Sequence, residues 1–489
     1  MRLDELLEKK EATQFQLLRE IVLAGGSQMV QTLREKSKLS KSAFEQYIQE
    51  LEELSRYQPD VFELKNDGLM VRLTFPPTSS LESLLSKWVI ESISFQIMAF
   101  CLQHADFKTV QLVTHLGISE STLFRKTKEL NKKLHEFRIQ IKNGGLQGEE
   151  LQIRYFYFHL YGQLSAYVPL TSQWQVDADR FVNALAAHLD VTFSQANAQK
   201  LSLWLKIMQK RWLVKKPEQT EIKKKLAYFT DDVLYQAVDE FMTLYLSRTA
   251  VENSRYEAML FYVFLVCFEV FEEEDFYQYD LLRSKKLPTA VLDTYIRETI
   301  LLYYRPRRLS IQLEKKFGYQ IAHINNRVYF FQGRIELYNR QHMIELQRRL
   351  LGKTLSQLLN QLLVLVFEQL DKYQIQQTTL HDFLVISYAS VLMMIDFSVT
   401  QTVYVAVDFT NLPAYRFPFY QLIQLELKPL NGVEVSEYDD QQDYDLVISP
   451  KAPPQNQQQS QWYMLSEFVS NYDLQTIKQV IEHIRHYKN

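Results

Sequence analysis

Between residues 109 and 134 the apolar positions fall into two short helical runs separated by a turn. Leu112, Leu116, Ile118 and Leu123 are spaced to close a helix-turn-helix core. The first helix is expected to end at Leu116, Gly117 to supply the positive φ of a tight turn, and Ser119 to cap the second helix. At about 100° per residue, Leu123, Thr127, Leu130 and Leu134 fall on one side of that second helix. Ser121, Arg125, Lys128 and Lys132 fall on the other. Phe137–Lys142 and Glu150–Arg154 then alternate apolar and polar residues around the turn residues Asn143-Gly144-Gly145, which predicts a hairpin. Helix, turn, helix and hairpin together make a winged helix.

A similar pattern precedes it. Gln14–Leu23 is periodic, Gly25-Gly26 breaks the run, and Ser27 is placed to cap a helix over Gln28–Lys36. A helix over Ala43–Leu54 follows, then a hairpin of Val61–Leu64 and Met70–Leu73 around Asn66-Asp67-Gly68. Pro76–Ser80 reads as a linker, and a long helix over Leu81–His104 leads into the second module. From residue 156 to 395 apolar residues recur at three- and four-residue spacing, interrupted by the acidic break Glu272–Asp275. Two helical blocks of similar size are expected there. Beyond residue 400 the pattern changes. Thr402–Val407, Leu422–Leu427, Asp445–Ser449 and a segment from Trp462 to Val469 read as strands. Asp473 is placed to cap a terminal helix ending near Tyr487, and Pro453–Gln459 reads as a loop.

Composition agrees with this reading. The chain has 489 residues, too many for one core, and only 12 Gly and 13 Pro, too few for an all-β protein of this size. The expected class is mainly α and multidomain, with a small C-terminal α/β domain. The net charge of −3 means that nucleic-acid binding must come from a local patch. Cys101 and Cys267 lie in apolar runs, which excludes a disulfide framework or a cysteine-based zinc site and suits a reducing cytosol. The N-terminus is charged and lacks the apolar stretch of a signal peptide. The longest apolar runs, such as Met259–Val270, read as too short and too interrupted to span a bilayer. A cytoplasmic protein with no membrane partner is expected.

The candidate chemistry is cationic. From Lys108 to Lys142 eight Lys/Arg stand against three Glu, about +5 locally. The expected DNA contacts are Ser119, Ser121, Thr122, Arg125, Lys126, Lys128 and Lys132, with Lys142 and Asn143 at the hairpin tip. In the first module only Lys36, Lys38 and Lys41 favour phosphate. The Ala43 helix exposes Glu45, Gln46, Gln49 and Glu53, so this module either contacts DNA or serves a dimerising or supporting role. There is no glycine-rich nucleotide loop, and His135-Glu136 lacks the second histidine of a zinc protease, so no catalytic residue, metal or cofactor is expected.

The order of modules, the wording near residue 110 and the string Gln152–Phe156 resemble the Mga/AtxA-like regulators of Gram-positive bacteria. The resemblance covers nearly the whole chain. It implies a first winged helix-turn-helix over 1–76 and a second over 77–155. It implies two regulation domains of the phosphotransferase system (PTS) over 156–280 and 281–396, and an EIIB-like α/β domain over 397–489. It further implies a regulator that binds double-stranded DNA as a homodimer or larger oligomer and receives phosphoryl groups from PTS phosphocarrier proteins. The histidines available in the two helical blocks are His159, His188, His323, His342 and His381, of which His188 and His381 are the first candidates for phosphorylation and His323 and His342 the alternatives. EIIB domains of the relevant kind carry a cysteine after the first strand. Here Asp408-Phe409-Thr410-Asn411 stands in that place, so phosphotransferase chemistry is not expected. Two other readings compete: an RNA-binding antiterminator, which also pairs such regulation domains, and a PTS-sensing scaffold that touches no nucleic acid.

Overall fold

The computed structural model describes the chain apart from residues 105–106, 143, 165, 169–174, 213–219, 248–253, 283–286, 306–308, 337–339, 373–380, 400–401, 411, 431, 452–459, 468 and 489. The expected loop at Pro453–Gln459 and the hairpin residue Asn143 lie outside the described residues. The protein is 70% helical, with small sheets that include a parallel one near the C-terminus. It forms two compact units. One comprises Met1–Thr294, Tyr319–Leu346 and Leu363–Ile386, and the other Tyr295–Gly318, Gln347–Leu362 and Ser387–Asn489.

The first module is built from α1 (Lys9–Leu23), β1 (Ser27–Met29), α2 (Val30–Ser37), α3 (Lys41–Tyr57), β2 (Glu63–Asn66) and β3 (Met70–Thr74). Ser27 does not cap a helix. It opens a strand that pairs antiparallel with β3, and α2 starts three residues later. The double glycine turns the chain sharply enough for Ser27–Met29 to lie alongside β3, and a free strand edge next to a hairpin wins over a cap. Ser40 caps α3 by accepting from Ala43 N at 3.3 Å. Leu18, Ile21, Leu33, Phe44, Ile48, Leu51, Phe62 and Val71 form the core.

The expected long helix over 81–104 is two: α4 (Leu81–Glu91) and α5 (Ile93–Gln103), bent by 64° at Ser92. Ser92 ends one and caps the other, its hydroxyl accepting from Phe95 N at 3.2 Å and donating to Val89 O at 2.7 Å. A serine that can satisfy orphan groups on both sides makes the break cheap. Next come α6 (Thr109–Leu116), α7 (Glu120–Leu134), β4 (Gln140–Lys142) and β5 (Gly145–Gln147). The second hairpin strand is therefore Gly145–Gln147, and Glu150–Arg154 is not a strand. It opens α8 (Glu150–Leu164), whose residues from Leu151 to Phe158 are all buried. A helix enclosed on every side needs no amphipathic period, so its five-residue alternation carried no information.

The helical region holds helices at Gln175–Leu189, Gln195–Arg211, Val233–Leu246, Ser254–Cys267 and Glu273–Leu282, so three of the four residues expected as an acidic break form the first turn of a helix, where carboxylates favour the positive end of the dipole. Pro288–Tyr304, Ile311–Phe330, Arg340–Lys372 and His381–Val399 follow. The helix Ile311–Phe330 stops at Phe330, short of Tyr338, although apolar residues keep helical spacing beyond it. After it Glu336 bridges to Arg2, with Leu3 N donating to Glu336 O at 2.9 Å. By length and composition His381–Val399 is apolar enough to cross a membrane, at odds with the expectation that no run is. Only about a third of it is buried, Leu384, Tyr388, Leu392 and Ile395 among that third, and Phe397 is exposed.

The terminal domain has four parallel strands: β6 (Val403–Val407), β7 (Val433–Glu437), β8 (Leu446–Ser449) and β9 (Gln461–Met464), in the order β7-β6-β8-β9. Leu422–Leu427, expected as a strand, is the end of a helix over Pro413–Leu427. Ile423 and Leu427, four apart, are its buried pair, and Pro413 at its first turn sets the helical φ. β7 was not anticipated from sequence, because Val433, Val435 and their neighbours are only half-buried at a sheet edge. Asp473 is not the cap of the last helix, Asn471–Lys488. It sits inside, in a reciprocal box with Ser470: Asp473 N donates to Ser470 Oγ and Ser470 N to Asp473 Oδ2, each at 3.2 Å. Its carboxylate also accepts from Tyr463 Oη and Ser466 N, both at 2.9 Å. Burial alone would raise its pKa, but these donors outweigh it and hold the group far below the usual carboxylate range.

Candidate nucleic-acid interface

The expected helix-turn-helix is present. Gly117 closes α6 in the left-handed region at φ 64°. Ser119 caps α7, accepting from Thr122 N at 3.2 Å, and its hydroxyl also lies 2.9 Å from both Ser121 Oγ and Thr122 Oγ1. Ser119 and Thr122 are therefore held in the cap, with a hydroxyl cluster at the positive end of the helix. Leu112, Leu123, Leu130 and Leu134 are buried as the periodicity requires.

The opposite face of α7 is open. Ser121, Arg125, Lys128 and Lys132 are exposed. Arg125 faces Glu129 at 3.6 Å, but both side chains are about half exposed or more, so the pair is weak and a phosphate can replace it. Phe124 lies beside this row with 74% of its surface exposed. Sequence reading passed over it, although at 100° from Leu123 it falls next to Lys128 and off the packed stripe. An exposed ring among cations suits apolar contact with a thymine methyl.

Lys126 does not join this set. It is only 6% exposed and pairs with Glu8, with Glu129 a further 3.8 Å partner. The helical wheel would have found this, since Lys126 stands about 60° from Leu123 on the packed side. Lys133 is likewise turned inward, to the carbonyl of Glu5, and burial lowers its pKa despite neighbouring carboxylates. Two of the eight cations thus hold the segment before α1 against α7.

The wing is short and tightly made. Asn131 on α7 grips the backbone of Ile141, donating to its carbonyl at 3.0 Å and accepting from its N–H at 2.7 Å. Phe107 N donates to Gly144 O at 3.1 Å, so close that a Cβ on Gly144 would stand 2.1 Å from Phe107 O. Only glycine fits there. Lys142 is exposed at the tip of β4.

Residues 77–161 match the family model of the Mga helix-turn-helix domain. The match runs from the segment just before α4 into α8 and is consistent with a Mga-like regulator. No curated protein matches the chain. Mga-family regulators bind DNA and are not enzymes, so the Mga domain points to a DNA-binding transcription regulator.

The first module presents a different surface. Lys36 faces Glu20 at 3.5 Å and Lys41 faces Glu45 at 3.9 Å, while Lys38 closes α2 at φ 56°. On α3, Gln46 and Gln49 donate to Glu50 and Glu53 at 3.1 and 3.0 Å, which leaves an acidic, self-paired face.

The candidate phosphoacceptors differ in access. His188 is half-buried, its Nε2 3.0 Å from Ala237 O. His323 is 2% exposed, with Nδ1 2.9 Å from Tyr319 O and its ring between Phe276 and Tyr319. His381 is exposed, 3.2 Å from Asp382 and stacked on Phe367, and His342 is exposed as well. Both cysteines are buried, and burial pushes the Cys101 thiol up to about 12. Among the described residues no group of His, Cys, Asp and Glu is placed to hold a metal.

Proposed function

We propose that this chain is a transcription regulator that places α7 in the major groove of double-stranded DNA, with Arg125, Lys128, Lys132 and Lys142 on phosphates and Ser121 and Phe124 at base edges. The observation that carries the reading is the open cationic face of a helix that is capped, and packed from behind, inside a Mga helix-turn-helix domain. The first winged helix, 1–76, supports this contact through Lys36, Lys38 and Lys41 or through dimerisation, and the second spans 77–155. Residues 156–280 and 281–396 act as two PTS regulation domains and 397–489 as an EIIB-like domain without a carrier cysteine, which serves homo-oligomerisation. The protein works in the cytoplasm.

Binding of a labelled duplex against an RNA hairpin tests the reading and separates it from an antiterminator. Lys128→Ala should keep its thermal stability and reduce the salt slope of duplex binding by about one. Lys126→Ala should leave the slope unchanged and cost about 1–2 kcal/mol of stability, since it strips Glu8 of its partner. Preferential hairpin binding, or equal slopes in the two variants, would defeat the proposal.

Regulation is proposed to run through phosphohistidine supplied by PTS phosphocarrier proteins. Access favours His381 and His342, while phosphate on His188 must displace the Ala237 carbonyl and on His323 must open an aromatic cage. Mass spectrometry after incubation with phosphoenolpyruvate and the general PTS proteins should find the label on His381, or on His342 as the other exposed ring. A chain that takes up no phosphate has lost this switch.

A further inference from the structure

Helix 311–330 delivers Arg327 to a small cavity at the side of α8, and the segment that leaves the helix supplies Arg334. The cavity has a volume of about 20 Å3, which limits a guest to a few heavy atoms. Tyr155, His159, Phe331 and Phe383 complete its walls. Tyr155 stacks on Phe331 at 4.4 Å and meets the His159 ring edge-on at 4.6 Å.

The polar groups here are arranged for a guest of opposite charge. The Arg327 guanidinium lies 4.6 Å over Phe268 and 5.8 Å from Phe383, and that of Arg334 lies 5.2 Å from the same Phe383 ring. Two cations thus share one aromatic wall. Arg327 Nε and His159 Nε2 are both enclosed and meet no hydrogen-bond partner. Burial, and then the two guanidiniums, hold the imidazole well below its usual pKa, so it is neutral at pH 7 and able to donate through Nε2. Enclosed donors without acceptors are costly, and like charges on one wall repel. A tetrahedral oxyanion relieves both, because the guanidinium fork matches its oxygens and the aromatic walls strengthen the contact by excluding water.

We propose that this cavity is a binding site for a phosphate-class dianion, held by Arg327, Arg334 and His159. The site lies on a direct path to the DNA-binding module. Gly333 O accepts from Tyr155 Oη at 2.7 Å, and Arg334 N donates at 3.1 Å to Glu136, just past the end of α7. The proposal does not rest on DNA binding, and its test needs no nucleic acid.

Isothermal titration of the full chain with inorganic phosphate, against chloride at matched ionic strength, should show saturable binding at one site. Glycerol phosphate forms a second arm. Binding of inorganic phosphate alone marks a free ion, and comparable binding of both marks the phosphoryl group of a larger ligand whose ester projects from the mouth. Arg327→Gln should weaken binding at least about 10-fold. Arg327→Lys keeps the charge and the ring contact, so it should fold even if the glutamine variant does not, and still bind several-fold more weakly for want of the fork. Absence of saturable binding by either anion would overturn the proposal, as would unchanged affinity in either folded variant, which would indicate an adventitious ion only.

Discussion

Glu257→Ala should cost the chain about 3–5 kcal/mol of folding stability, more than any substitution on its surface. Glu257 is fully buried and receives the Arg154 guanidinium at 2.6 and 3.0 Å. Arg154 also donates to Glu150 at 2.9 Å, and Glu150 takes Arg211 at 2.8 Å through both of its oxygens. Two arginines and two glutamates thus close a neutral quartet that ties α8 to helices 195–211 and 254–267. Removing one carboxylate leaves a buried cation with half its partners. The double variant Arg154→Met/Glu257→Leu restores neutrality, so it should recover much of the loss and lie well short of the sum of the single effects. Denaturant melts of Arg154→Met, Glu257→Leu and the double variant check this, with Glu257→Ala alongside. An additive double variant would mean that the four groups do not act as a unit.

The same quartet sets a direction in pH. Burial alone would raise the Glu150 carboxyl, but Arg154 and Arg211 outweigh it and hold it below the ordinary carboxylate range. Its contribution is therefore fully present above the unfolded value, about 4.3 for glutamate, and is lost as pH falls through the lower folded value. Asp473 acts with the same sign in the terminal domain. Stability should fall on the acid side, below the unfolded carboxylate pKa values.

Arg125→Ala/Lys128→Ala should lower duplex affinity roughly 10- to 100-fold at moderate salt and flatten the salt slope by about two, one for each phosphate contact. Both side chains stand on the exposed face of α7, so the melting temperature should hold. Fluorescence anisotropy over a salt series reads the slope directly. An unchanged slope would move the DNA surface to Lys36, Lys38 and Lys41 in the first module.

Local chemistry made the helix-turn-helix legible. Gly117, Ser119 and the leucine stripe on α7 act within one or two turns of each other, and their geometry follows from φ preference, capping and period. The first-module hairpin and strands β6 and β8 were legible for the same reason. Sequence alone could also have turned Lys126 inward, since its angle on the wheel puts it with the leucines. What it could not supply was the partner, Glu8, 118 residues away. Tertiary structure alone decided that Glu150–Arg154 is helix and not strand, because total burial erases the period that distinguishes them. It decided likewise that Leu422–Leu427 is helix, where a short alternation fits both forms and the packing of Ile423 and Leu427 selects one. The joining of Arg154 to Glu257, and of His159 to Arg327 and Arg334, belongs to the same class. These contacts span a hundred residues or more, and a charge or ring in the sequence carries no record of which distant group will meet it until the chain has folded.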